Sequence, residues 1–274
     1  SASLVGSEMC IRDRVDTRIV GSFLGEDALA AVGATSTLSG LIIGFLLGLS
    51  NGFAIITAQK FGAKNIADMK KSFAMSLVIG TGISILFTIA GLLFLKPILH
   101  FLNVPKHLVP VAKGYIAIII AGLLATFLYD ACAATLRAIG DAVTPLIILA
   151  ISVALNIVGD LFFVVVLKTG VKGAAIATVL AQIIAFVICW IYMIRKYEIL
   201  RLQKEEFKDP SPIMVKEMIS AGMSMGFMSS LVNIGTLTLQ TAINKLGKDI
   251  IIAHTAARKI TEIFMIMFLS LIHI

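Results

Sequence analysis

The sequence predicts an all-α, polytopic helical membrane protein, and three observations carry that prediction. Of its 274 residues 58% are hydrophobic and only 14% charged, where soluble chains carry roughly a quarter charged residues. The apolar residues fall in long runs, and ~20 such residues suffice for a helix to cross a bilayer. Short loops separate the runs and hold most of the charge.

The elements follow in order. Residues 15–24 form an apolar stretch too short to cross. Runs long enough to span follow at 38–58, 72–95, 114–136 (interrupted by Asp130), 145–167, 173–194 and 218–243. The connections carry turn signals: "FGAKN", "NVPKH", "AIGDAVTP", "KTGVKG" and "KDPSP". A last apolar run begins at 250 and meets the chain end. The longest polar segment, "RKYEILRLQKEEFKDPSP" (195–212), is the one linker candidate. The expected organisation is a six-helix unit over 15–196, a cytoplasmic linker over 197–212 and the start of a second unit over 213–274.

The net charge of +7 is distributed as topology signals are, not as a nucleic-acid face. One side of the runs receives Lys60, Lys64, Lys70, Lys71, Arg137, Arg195, Lys196, Arg201, Lys204, Lys208 and Lys216. The other receives Lys96, Lys106, Lys113, Lys168, Lys172, Lys245 and Lys248. The richer side is expected to be cytoplasmic. Cys10, Cys132 and Cys189 have no paired spacing, so neither a disulfide framework nor a zinc site is supported. No nucleotide loop or His-Glu zinc helix is present. Tyr129-Asp130 and Gly140-Asp141 resemble intramembrane aspartyl protease motifs only superficially. Those aspartates are eleven residues apart, and Ala138 stands where that chemistry needs glycine. The chain is expected not to be an enzyme and to need no cofactor.

Polar residues inside the apolar runs are the functional candidates. Asn156 and Asp160 lie four apart, so they share a helix face. A carboxylate at membrane depth costs at least ~2.5 kcal/mol on the most lenient insertion scale. Counting from Lys168, Asp160 lies roughly 10–12 Å below the interface at 1.5 Å per residue. Thr178, counted from Lys172, and Asp16, counted from Leu24, reach a similar depth. Two carboxylates in a low-dielectric pocket cannot both ionise cheaply, so a proton or a cation is implied. Asn and Thr add neutral oxygens that suit sodium or orient a proton carrier. The competing reading is helix-joining hydrogen bonds. Asp130, near Arg137, reads as structural. Tyr129 either lines a cavity or packs, and Gln240 is a second candidate for a substrate-lining position. Arg258 and Glu262 can pair at i,i+4.

An internal repeat is also present. "LGEDALAAVGA" (24–34) matches "LGKDIIIAHTA" (246–256) at Leu, Gly, Asp and two Ala positions. Each copy follows one helix and opens the next, as in transporters built from internal repeats.

Taken together, "VDTRIVGSFLGEDALAAVGA", "AQKFGAKN", "LRAIGDAVTP", "LNIVGD" with "GVKGAAIATVLAQ", and "LQTAINKLGKDIIIAHTAARK" resemble the multidrug and toxic compound extrusion (MATE) family. The resemblance implies two six-helix lobes with alternating access, exporting organic, often cationic compounds in exchange for protons or sodium. It implies a multi-pass protein of the bacterial inner membrane that acts as a monomer on small organic substrates, with no nucleic-acid partner. It also implies an amino-lobe ion site, and the family pattern maps it to Asp16, Asn156, Asp160 and Thr178. One family branch uses a glutamate in the seventh helix; "SSLVNIGTL" has no carboxylate there, and Ser224 stands where proline is frequent. A related lipid-linked oligosaccharide flippase would favour a strongly cationic cavity, which the amino-lobe helices do not offer. Residues 1–14, "SASLVGSEMCIRDR", and the terminal "LSLIHI" resemble translated adapter sequence. They suggest a gene fragment, which on its own would be inactive.

Overall fold

The computed structural model describes residues 19–208 and 211–273, with the backbone alone at 232, 233, 236, 237, 259 and 262–273. Residues 19–24 are helical (α1) and end at Gly25. The long helices that follow are α2 (Glu26–Gly62) and α3 (Ile66–Leu93). Asn65 caps α3, its side chain accepting from the Asp68 amide at 3.1 Å. A short α4 (Leu95–Phe101) turns the chain into α5 (Val109–Ala121) and α6 (Leu123–Ala138). Then come α7 (Val143–Asp160), α8 (Val171–Lys196), two short 3-10 turns, α9 (Pro212–Asn244) and α10 (Lys248–His273).

Helices α5 and α6 make one span bent by 42°. The bend falls at Gly122, where a Cβ would stand 2.4 Å from Val179 of α8; the bare backbone lets α8 approach. Counting that bent pair once, five segments among the described residues are long and apolar enough to cross a membrane. The sixth expected run lies inside α9, whose serines, threonines and amides make it more polar than the other five.

The bundle is built for a lipid solvent. On α7 the apolar side chains Val143, Ile147, Ile151, Leu155 and Val158 face outward, while Ser152, Asn156 and Asp160 are buried. Helices α3 and α8 also expose apolar residues, Leu86 and Ile89 on one and Ile184 and Val187 on the other. That pattern inverts a soluble helix, as expected where hydrocarbon is the surroundings.

Helix α9 packs along α2 through facing small residues. "GLSNG" (48–52) meets "GMSMG" (222–226). A Cβ on Gly52 would stand 2.5 Å from both the Ala221 carbonyl oxygen and the Gly222 Cα, and one on Gly48 2.5 Å from the Met225 carbonyl oxygen. These are two GxxxG sequences in backbone contact, the arrangement that maximises dispersion contact when no hydrophobic drive separates helix from lipid.

The internal repeat is visible in space. Gly25 and Gly247, equivalent in the two copies, both have positive φ (82° and 97°), a conformation glycine adopts at no steric cost. Equivalent positions also touch. Lys248 pairs with Glu26 at 3.5 Å and with Asp27 at 2.8 Å, and a Cβ on Gly33 would stand 2.3 Å from Thr255 Oγ1. Contact between equivalent residues is what a local two-fold relation between α2 and α10 requires.

Candidate functional site

The site is built on the contact between α7 and α8. Gly159 is the residue that lets them close: a Cβ there would stand 3.0 Å from Ala177 Cβ. One turn inward Asn156 is fully buried and donates from Nδ2 to Thr178 Oγ1 at 3.3 Å. A further turn inward Ser152 donates to the Ala181 carbonyl at 3.2 Å. Asp160 is fully buried, with both carboxylate oxygens shut off from the surroundings. Immediately after it, residues Leu161–Val166 form a π-helical turn, a local widening that often accompanies functional sites.

Three of the four expected ion-site residues are therefore together on adjoining faces of two helices. The fourth, Asp16, lies outside the described residues. The end of α1 does reach this region: Ile19 and Val20 share an apolar cluster with Val164, Val171 and Ala174, and Tyr115 and Ile157 pack against it.

Gln182 is a residue that the sequence reading missed. It lies four after Thr178 on the same helix face and is 2% exposed, and among the described residues neither its amide nitrogen nor its amide oxygen has a hydrogen-bond partner. Asn156 Oδ1 also has no partner among the described residues. Such groups in a native interior point to bound water or an ion. The signal was the i,i+4 spacing that had paired Asn156 with Asp160. The polar column thus descends from Asp160 through Asn156 and Thr178 to Ser152 and Gln182.

The remaining candidates sit elsewhere. Tyr129 is buried and donates to the Pro145 carbonyl at 3.0 Å, a contact between α6 and α7. Asp130 is buried in α6, and the Arg137 charge lies within electrostatic reach of it. Arg137 also donates to Asn51 of α2 at 3.2 Å. Gln240 is buried and donates to Asn244 at 2.9 Å. With Ser36, His254 and Arg258 it borders a cavity of about 10 Å³, room for about one water. Arg258 donates to Thr37 at 3.1 Å; the Glu262 side chain lies outside those described. Among the described residues no His, Cys, Asp or Glu cluster has metal-site geometry.

At the opposite end, outside the membrane, Asp141 gathers the α6–α7 turn and the end of α8. It accepts from the Thr144 amide and hydroxyl at 3.0 and 2.8 Å and from Tyr197 at 2.8 Å. Lys196 stands 3.8 Å away, over the rings of Tyr192 and Tyr197. Burial pushes the Asp141 carboxyl up, but those donors and the Lys196 charge hold it below the usual carboxylate range. The same hydrogen bond pushes the Tyr197 phenol up.

Comparison with known proteins gives a consistent answer. The family model described as MatE matches residues 9–162. The Probable multidrug resistance protein YpnP of Bacillus subtilis is 32% identical over 91% of this chain and 55% of its own length. YoeA of the same organism, also named a probable multidrug resistance protein, is 28% identical over 89% and 54%. A solved structure described as the inward-facing conformation of a multidrug resistance MATE family transporter superposes with a TM-score of 0.86. It is 22% identical, over 96% of this chain and 61% of that one. The chain spans about half the length of the curated relatives it matches.

Proposed function

The chain belongs to the MatE family of multidrug efflux transporters, and from that premise we propose that it carries the ion-coupling lobe of a secondary antiporter. The whole transporter would export organic, often cationic compounds from the bacterial cytoplasm across the inner membrane in exchange for protons or sodium. The observation that carries this reading is the burial of Asp160 beside Asn156 and Thr178. A carboxylate kept in the interior of a membrane bundle is costly and is a functional site by default.

The proposed mechanism follows from that burial. Asp160 holds the proton or sodium ion, with Asp16 as its partner by family pattern. Asn156 Oδ1 and Thr178 Oγ1 supply neutral oxygens, and water held by Gln182 extends the shell inward. Loading neutralises the carboxylate, which removes the cost of burying it and lets α7 close on α8. The π-helical turn after Asp160 is where that repacking would be absorbed. A lobe whose packing depends on the bound ion biases the transporter between outward- and inward-open states, and the drug moves on the difference.

The experiment is gradient-driven export from proteoliposomes by the intact transporter carrying this segment. Asp160→Asn keeps the shape and removes the titratable group, so it should abolish uphill export while leaving folding intact. Wild-type uphill rates from the Asn variant would remove Asp160 from the mechanism.

A further inference from the structure

The membrane face with fewer basic residues does not spread them evenly. Of its seven lysines, Lys96, Lys106, Lys113 and Lys245 line a single groove together with His100. The groove holds about 690 Å³ between the α4–α5 segment and the α9–α10 turn. No carboxylate lines it, and none of the four lysines has a carboxylate partner among the described residues. The acids Glu26 and Asp27, at the same end of the bundle, are held by Lys248. Positive charge is disfavoured on the sparse side, so its concentration at one place asks for a counter-charge.

The walls are fixed. Asn244 of α9 donates to the Leu102 carbonyl at 2.7 Å, tying the two sides of the groove together. Leu99 and Leu102 are buried beneath it. Beside the lysines the surface turns apolar: Leu93, Phe94 and Phe101 expose 60–72% of their surface. A cationic pocket at the end of a lipid-facing helix, bordered by exposed aromatic rings, has the layout of a polar–apolar boundary.

We propose that this groove binds the phosphate-bearing headgroup of an anionic lipid. The lysines and His100 take the phosphate, and the acyl chains run along Leu93, Phe94 and Phe101. A free inorganic anion would satisfy the lysines but would have no use for the adjoining apolar surface. Because the groove joins the amino-terminal helices to the α9–α10 turn, a bound headgroup would link them across the site.

Native mass spectrometry of the purified chain in detergent tests this, with dioleoyl phosphatidylglycerol, dioleoyl phosphatidylcholine and inorganic phosphate as probes. The phosphatidylglycerol adduct should exceed the phosphatidylcholine adduct by about fivefold or more, a modest differential for several cations near an anionic headgroup. The triple variant Lys96→Gln/Lys106→Gln/Lys113→Gln should reduce that ratio to near one. Lys64→Gln/Lys204→Gln/Lys208→Gln removes the same charge at the opposite end and should leave the ratio unchanged. All six side chains are exposed, and thermal unfolding followed at Trp190 checks that each variant is folded. Lys245→Gln alone, from the other wall, should weaken retention partially. Equal retention of the two lipids, or equal loss in both triple variants, would overturn the proposal. So would full displacement of the lipid by millimolar phosphate, which would make the groove a site for the free anion.

Discussion

Gln182 separates two accounts of the α7–α8 contact. If it only packs, Leu of similar volume should be neutral or stabilising, because it removes two buried polar atoms that have no partner among the described residues. If it holds water for the ion site, Gln182→Leu should fold normally yet lower ion-coupled export by about tenfold, the low end of what loss of an outer-shell partner costs a cation site. Measuring unfolding temperature and uphill transport on the same preparation distinguishes the two. Asp141 gives a pH-dependent test at the same scale. Its carboxyl is depressed in the folded chain, so its stabilisation is complete above its unfolded value and is lost as pH falls through the folded one. Tyr197→Phe removes one donor, should cost about 1 kcal/mol at neutral pH, and should make the acid-induced loss smaller and complete it at higher pH, because the folded carboxyl moves toward its unfolded value. Unfolding temperature measured between neutral and acid pH checks this. Asn156, Asp160 and Thr178 were legible from spacing and depth alone, because helical periodicity and loop lysines fix both. Gln182 was not, because one glutamine in a charge-free run carries no cost comparable to that of an aspartate.

The runs from the sequence located the helices to within a few residues at their apolar centres but not at their ends. The run at 38–58 belongs to a helix that begins at Glu26, because its first turns are small and polar and are covered by α10 rather than by lipid. The bend at Gly122 was likewise invisible, since it depends on Val179 arriving from another helix. The α2–α9 contact could have been found: both strands of evidence, "GLSNG" and "GMSMG", are in the sequence, but only the fold shows that they face each other. That contact makes a specific prediction. Gly52→Ile places a branched side chain where a Cβ alone would stand 2.5 Å from backbone, and overpacking costs typically ~1–3 kcal/mol. Thermal unfolding in detergent should fall accordingly, while Gly62→Ile, on the same helix with nothing within 4 Å of a Cβ, should change it little. Equal effects at the two glycines would mean that α9 does not dock on α2 as described.

At the scale of the whole molecule, the inside-out distribution of polarity, the repeat in contact with itself and the buried polar column between α7 and α8 belong to one design. The repeat was readable as an eleven-residue match, but its meaning lay in space, where Lys248 meets Glu26 and Gly33 meets Thr255. The proposed coupling places the ion in the amino-terminal lobe and the drug between lobes, so ion and drug compete through the packing of α7 on α8. The most direct measurement is the number of ions released when drug binds to the intact transporter in detergent, read as protons with a pH dye and as sodium with a radiotracer. The account predicts release of about one ion per drug from the wild type, as reciprocal linkage requires. From Asp160→Asn it predicts none, with drug binding retained. Undiminished release from the Asn variant would contradict it and place the coupling ion on another group.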